Sequence, residues 1–171
     1  RRMAGKRAAI ITSTGGAGTI VADAIGLAGF EMPSPDAKTA EALLSLDLRD
    51  AALESNPIDV TLAGVRPDLM RRILDIVTES PSYDAVITVV GSSSLGQPDV
   101  VAGPLRETLE KTDKPLLAYV SPHAPDILAH LNRGGIPAFA SPECFAPVLT
   151  ALSGSDMSDA RAESFRRPVD C

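Results

Sequence analysis

The chain has 171 residues with 16 basic and 22 acidic side chains, a net charge of −6. At this length one domain is the default, and 44% apolar with 22% charged residues is ordinary globular usage, which excludes disorder as the main state. No apolar run approaches the roughly 20 residues of a membrane helix, and an acidic chain without a basic stripe repels nucleic-acid backbones.

Along the chain, strands and helices alternate. Ala8–Thr12 is a short apolar run that stops at glycines, so it reads as a buried strand. Ile20, Val21, Ala24, Ile25 and Leu27 recur at helical spacing and end at Gly29. Phe30-Glu31-Met32 before Pro33 reads as a brief second strand, and Asp36 to Leu46 as a helix. Ser55–Thr61 reads as loop. Pro67 opens an amphipathic helix with Leu69, Met70, Ile73, Leu74 and Val77 on one face and Arg71, Arg72 and Asp75 on the other. Asp84–Val90 is continuously apolar after its first residue, as a central parallel strand requires. A helix lies within Pro98–Lys111, although Pro104 obscures its start. Leu116–Val120 is a fourth strand, Ala124–Leu131 a helix closed by Gly134-Gly135, and Ile136–Phe139 a fifth, edge-type strand because Pro137 lacks a donor. Ser141-Pro142-Glu143 opens the last helix. The expected architecture is an α/β, flavodoxin-like, doubly wound five-stranded parallel sheet of order 2-1-3-4-5.

The expected domain is 6–152, with 153–171 a polar tail or linker. Arg1-Arg2-Met3 at one end and the polar stretch to Cys171 at the other suggest a piece of a longer polypeptide. Two cysteines, Cys144 and Cys171, are too few for a disulfide framework or a zinc site and fit a reducing, cytoplasmic setting.

In doubly wound sheets, ligands bind beyond the carboxyl ends of the strands. That rule selects four loops: Thr12–Gly18, Asp59–Gly64, Gly91–Gly96 and Ser121–Pro125. In the first, Thr14, Gly15, Gly16, Ala17 and Gly18 lie between a strand and a helix. Glycines admit close backbone approach, and the first helical turn offers free N–H groups at a positive dipole end, so an anion such as phosphate is the expected guest. The alternative is a tight turn with glycine for packing. No Gly-Lys-Ser/Thr follows, so this is not a P-loop. Gly16-x-Gly18 is an incomplete dinucleotide fingerprint, since Val21 stands where a third small residue belongs, and Glu31 would be its ribose contact.

The loop Gly91, Ser92, Ser93 and Ser94 offers hydroxyl donors for a carboxylate or phosphate, or is simply solvated. It contains no nucleophile elbow. His123 faces the same side and either contacts an anion or is an exposed loop histidine. Asp59 either accepts from a ligand or caps its own turn. No His, Cys and carboxylate cluster has metal spacing. Thr12-Ser13-Thr14-Gly15 also resembles the phosphate loop of FMN-binding flavodoxins, but Ala17 replaces a threonine and the later loops hold no aromatic to stack on a flavin.

Five segments together resemble one domain of the NDP-forming acyl-CoA synthetases. They are Lys6–Thr12 leading into Gly15-Gly16-Ala17-Gly18, Asn56-Pro57-Ile58-Asp59, Tyr83–Ile87, Lys114-Pro115-Leu116-Leu117, and Gly135-Ile136-Pro137 followed by Ser141-Pro142-Glu143. The same domain is similar to the carboxy-terminal part of the succinyl-CoA synthetase β subunit. The resemblance implies a flavodoxin-like ligase-CoA domain without flavin. It also implies a reaction that passes through a phosphohistidine and an acyl phosphate. By position, the helix that starts near Gly16 would hold the phosphohistidine, and Gly91–Ser94 would line the acid and phosphate site; Asn56, Asp59 and His123 stay as candidate ligand contacts, and His123 does not match the family's phosphorylated histidine.

The chain has no Ser-His-Thr-Gly or Gly-His-Ala-Gly segment and no ATP-grasp domain. The implied partners are therefore a CoA-binding, histidine-bearing domain and an ATP-grasp domain of the same enzyme, with a homo-oligomer also open. No cofactor is expected on this domain alone, while CoA, ATP/ADP and Mg are expected for the full enzyme. The isolated domain is expected to be inactive. A non-catalytic, regulatory relative of the synthetase is the alternative.

Overall fold

A computed structural model describes residues 1–46, 48, 51–61, 66–91 and 98–154. Five parallel strands form one sheet of order β2-β1-β3-β4-β5. They are β1 (Ala8–Thr12), β2 (Ile58–Asp59), β3 (Ala85–Val90), β4 (Leu116–Val120) and β5 (Ala138–Phe139). The helices are α1 (Gly15–Gly26), α2 (Ala37–Leu44), α3 (Pro67–Glu79), α4 (Pro98–Lys111), α5 (Pro125–Arg133) and α6 (Phe145–Leu152), with a 3-10 turn at Pro142–Cys144 before α6.

The central strands are buried on both faces, and each face has its own core. Ala9, Ile11, Val86, Val90, Leu116, Ala118 and Val120 pack with Leu43 of α2 and with α3, α4 and α5. On the other face Ile10, Ile87, Val89, Leu117 and Tyr119 meet Val21 and Ile25 of α1 and Phe145 and Leu149 of α6. The continuous apolar runs of β1, β3 and β4 follow from this two-sided cover.

The second strand is not where periodicity put it. Phe30–Met32 makes only an isolated bridge, Glu31 opposite Arg7, and β2 is Ile58–Asp59, inside the segment read as loop. The Asn56 side chain explains how so short a strand completes the edge. Its Oδ1 accepts from Ile10 N–H at 3.0 Å, and its Nδ2 donates to the carbonyls of Ala8 (2.8 Å) and Pro33 (3.1 Å). A side-chain amide thus satisfies β1 backbone groups that a longer strand would have paired. The fifth strand is likewise shorter than expected, and the last helix starts at Phe145 after its 3-10 turn. Pro104 lies buried inside α4 without ending it.

Two polar clusters fasten the end of the sheet opposite the candidate site. Asp36 caps α2 by accepting from Thr39 N–H (3.0 Å), and it also accepts from the hydroxyls of Thr39, Ser80 and Ser82. These bonds hold its carboxyl well below the ordinary carboxylate range. Arg7 grips both oxygens of buried Asp84 with Nε (3.0 Å) and Nη2 (2.9 Å), and its own N–H adds a third bond at 3.0 Å. That guanidinium lowers the Asp84 pKa against the opposing effect of burial.

Both folded-state values are depressed, so this stabilisation is full above the unfolded value of about 3.9 and is lost as pH falls through the folded values. Asp84→Asn should cost about 1–2 kcal/mol at pH 7 by leaving Arg7 without its ionised partner. Its stability deficit should shrink as pH falls below 4 in denaturant titrations; a deficit independent of pH would contradict the assignment.

Candidate functional site

All five strands are parallel, so the loops that follow them share one edge of the molecule. Thr12 at the end of β1 pairs with Asp59 on one side and Val89 on the other, and Val90 pairs with Val120. The four loops singled out in the sequence therefore follow strand ends in close register. Residues 62–65 and 92–97 lie outside the described residues, which takes Ser92, Ser93 and Ser94 out of the description.

The glycine-rich segment is largely helix. Gly15, Gly16, Ala17 and Gly18 form the first turn of α1, with Thr14 as its extended N-cap. Thr12 sets the turn. Its hydroxyl accepts from Thr14 N–H (2.9 Å) and donates to the Thr14 carbonyl (2.8 Å), while that carbonyl also accepts from Ala17 N–H (3.1 Å) and Gly18 N–H (3.2 Å). The N–H groups of Gly15 and Gly16 have no acceptor among the described residues, as the first donors of a helix without a side-chain cap must. Thr14, Gly15 and Gly16 are exposed.

The glycines differ in purpose. A Cβ on Gly18 would lie 3.0 Å from Thr12 Cγ2 and 3.3 Å from Pro57 Cβ, so this glycine lets α1 sit against β1 and the Asn56-Pro57 segment. A Cβ on Gly16 would meet nothing within 4 Å. Gly16 is therefore the position where bare backbone faces open space, and Gly18 the position where packing demands it. A Cβ on Gly15 would lie 3.5 Å from Asp59 Oδ2.

Asp59 does cap its own turn, since Oδ1 accepts from Thr61 N–H at 2.9 Å. Thr61 has φ 49°, the left-handed region, which is costly for a β-branched residue by about 1–2 kcal/mol. The Asp59 bond helps hold it there. The other Asp59 oxygen lies toward Gly15, so a carboxylate stands beside the amino end of α1.

Four of the other five helices start with an acid, α6 being the exception. The first turns of α3, α4 and α5 each carry an aspartate, Asp68, Asp99 and Asp126, and α2 has Asp36 at its N-cap. Helix α1 has no acidic residue in its first turn. Its own first turn offers no offset to the dipole, and Asp59 from the neighbouring strand stands beside it.

The remaining candidates fall elsewhere. The amide of Asn56 is fully engaged with backbone, as described above. Gly91 is buried at the end of β3, beside the bond from Ser121 N–H to the Val90 carbonyl (3.0 Å). His123 is exposed in the loop after β4, two strands from β1, or about 10 Å along the sheet edge. The structure thus places Thr14–Gly18 with Asp59, and Gly91 at the end of β3, between the strands that precede the Gly-rich turn and the His123 loop. His130 is not isolated, because its Nε2 lies 3.0 Å from Asp99 Oδ1, which Arg106 also contacts at 3.2 Å. Tyr119, the aromatic nearest in sequence to these loops, is buried edge-on against Phe145 with ring centroids 5.8 Å apart, so it offers no face to a flavin. Among the described residues no group of three His, Cys, Asp or Glu side chains could hold a metal, and no helix is long and apolar enough to cross a membrane.

The strand order and the glycine turn at the head of α1 define a flavodoxin-like domain. The chain is homologous to one part of an ADP-forming acetate–CoA ligase subunit. It is 31% identical over 157 residues to the alpha subunit of Acetate–CoA ligase [ADP-forming] II of Pyrococcus furiosus, a match that covers 86% of this chain and 33% of that subunit. The chain therefore spans about a third of that relative.

Solved structures share the fold. PH0766 of Pyrococcus horikoshii OT3 superposes with a TM-score of 0.78 at 24% identity, over 97% of this chain and 38% of its own. The dinucleotide-forming acetyl-coenzyme A synthetase 1 of Ca. Korarchaeum cryptofilum, in complex with phosphate and ADP, gives 0.77 at 21% identity, over 98% and 37%. No protein-family profile matches the chain.

Gly18→Ala should destabilise the chain by about 1–3 kcal/mol through crowding at Thr12 and Pro57. Gly16→Ala should be neutral or stabilising by up to about 1 kcal/mol, since it removes a helical glycine at an open position. Thermal melts of the two variants decide this, and equal losses would contradict the division of roles.

Proposed function

We propose that this chain is the ligase-CoA domain of an NDP-forming acid–CoA ligase, and that the first turn of α1 receives the phosphoryl group of a phosphohistidine carried by a sister domain. The observation behind this reading is the pair of acceptor-free N–H groups of Gly15 and Gly16, on a helix with no acid in its first turn, where Gly16 leaves open space. A doubly charged phosphoryl group gains most from fixed backbone donors that need no reorganisation. Gly91 and the serines that follow it in sequence would line the neighbouring acid and phosphate subsite, with His123 at its far side. Asn56 would serve this site indirectly, by holding the β1 edge from which α1 starts.

On this reading the domain, residues 6–152, supplies no nucleophile and no nucleotide site. CoA, ATP/ADP and Mg act in the full enzyme, whose CoA-binding and ATP-grasp domains are the proposed partners, in the cytoplasm. The isolated domain then has half of a composite site and turns over nothing. Asp59 sharpens the reading: its charge beside Gly15 opposes a free dianion, so inorganic phosphate should bind weakly unless the group arrives on a neutralising partner.

Two variants test this. In the full enzyme, Gly16→Val should lower phosphohistidine formation from ATP by about 100-fold, the usual loss when an oxyanion donor is blocked, while the melting temperature holds. Normal phosphorylation removes the role of α1, and an assembled wild-type enzyme that forms no phosphohistidine indicates the regulatory relative instead. Asp59→Asn should tighten inorganic phosphate binding to the chain by about tenfold, read by 31P NMR titration. Unchanged or weaker binding would show that Asp59 does not face the anion.

A further inference from the structure

Strand β5 is the edge of the sheet beyond β4, and an edge strand presents backbone N–H and C=O groups that template pairing with another chain. The usual guards are missing from its outer side. Ile136-Pro137-Ala138-Phe139-Ala140 carries no charge. Pro137 faces inward: its carbonyl accepts from Ala118 N–H at 2.9 Å, so the side on which it lacks a donor is the β4 side. The next residue, Ala138, therefore turns both its N–H and its carbonyl outward. Phe139 packs edge-on against Phe145, with ring centroids 5.3 Å apart, which holds the strand against the core.

Both outward groups of Ala138 are taken by one side chain. Asn132, in the last turn of α5, accepts from Ala138 N–H with Oδ1 (3.1 Å) and donates to the Ala138 carbonyl with Nδ2 (3.1 Å). The same Nδ2 donates to the Leu128 carbonyl one turn back (2.9 Å), which fixes the amide plane. A primary amide has the donor and the acceptor of a peptide unit, so Asn132 presents to β5 what a sixth strand would. The opposite edge is closed by backbone instead, because Ala52 and Asp59 exchange both bonds at 2.9 and 3.0 Å.

We propose that Asn132 is an edge guard, whose amide occupies the backbone groups through which β5 would otherwise pair with β5 of a second copy of this chain. A second copy is the occupant because the pattern left open without Asn132 is self-complementary. Two antiparallel β5 edges related by a two-fold axis let Ala138 of each copy exchange both bonds with Ala138 of the other. Asparagine is also a poorer helix former than alanine, and position 132 is exposed, so what the residue contributes lies at β5 rather than in α5. A role confined to holding the turn between α5 and β5 predicts lost stability without association, whereas a guard predicts association. The guard acts whatever the chemistry at the head of α1.

The test compares the 171-residue chain as wild type, Asn132→Ala, Asn132→Asp and Asn132→Ala/Ala140→Lys, by sedimentation equilibrium and by hydrogen exchange at the Ala138 amide. Asn132→Ala should stay folded and form a species of twice the wild-type mass whose fraction grows with concentration. Its Ala138 amide should exchange at least tenfold faster than in wild type when dilute, and should regain protection as the larger species fills. Asn132→Asp also loses the bond to the Ala138 carbonyl, yet should keep the wild-type mass, because its carboxylate repels the same group on a second copy. Asn132→Ala/Ala140→Lys should return to the wild-type mass, since charge on an edge opposes pairing. The guard role is overturned by an Asn132→Ala chain that keeps the wild-type mass at every concentration or that unfolds. It is equally overturned by Asn132→Asp associating as readily as Asn132→Ala, or by a double variant that stays associated.

Discussion

The contact between Gly18 and Thr12 is the constraint on which the candidate site depends. A side chain at Gly18 would press on Thr12 Cγ2 and on Pro57, so its absence lets α1 lie close against β1. The same threonine uses its hydroxyl to fix the Thr14 peptide through both its N–H and its carbonyl. One residue therefore sets how near the helix sits and where its first N–H groups point. Neither effect involves charge, and both are nearly independent of solvent, because Thr12 is buried. A turn defined in this way is rigid before any ligand arrives, which is the condition for fixed donors to favour a developing or transferred charge.

What the sequence disclosed follows from how strong each local pattern is. β3 and β4 are runs of buried, mostly apolar residues that match their structure to within a residue, and α3, which alternates apolar and charged residues, opens at Pro67 as expected. β2 was hidden because two paired residues carry no periodicity, and because the group that completes the edge is the Asn56 side chain rather than backbone. Phe30–Met32 looked more strand-like and is held mainly by the bridge from Arg7 to Glu31. A tertiary bond from a distant asparagine thus outweighed local propensity, as is common for edge strands.

The candidate site divides in the same way. That glycines follow β1 and open a helix was legible, because strand, glycine and apolar helix occur in order. Which glycine answers to packing and which to open space was not, since both are simply glycine until Thr12 and Pro57 are placed around one of them. Asn56 and Asp59 lie three residues apart in one motif yet do different work, one tying β1 together and the other holding Thr61 and facing Gly15.

The electrostatics of the candidate site follow from the charges at the helix starts. Helices α3, α4 and α5 each start with an aspartate of their own, so their positive ends are offset locally and compete little for an anion. Helix α1 leaves this task to Asp59, which belongs to another strand and is tied by Oδ1 to Thr61. An offset supplied from outside the helix is separable from it. A partner surface that pairs with Asp59, or excludes water around Gly15 and Gly16, would change the field there without any movement of α1.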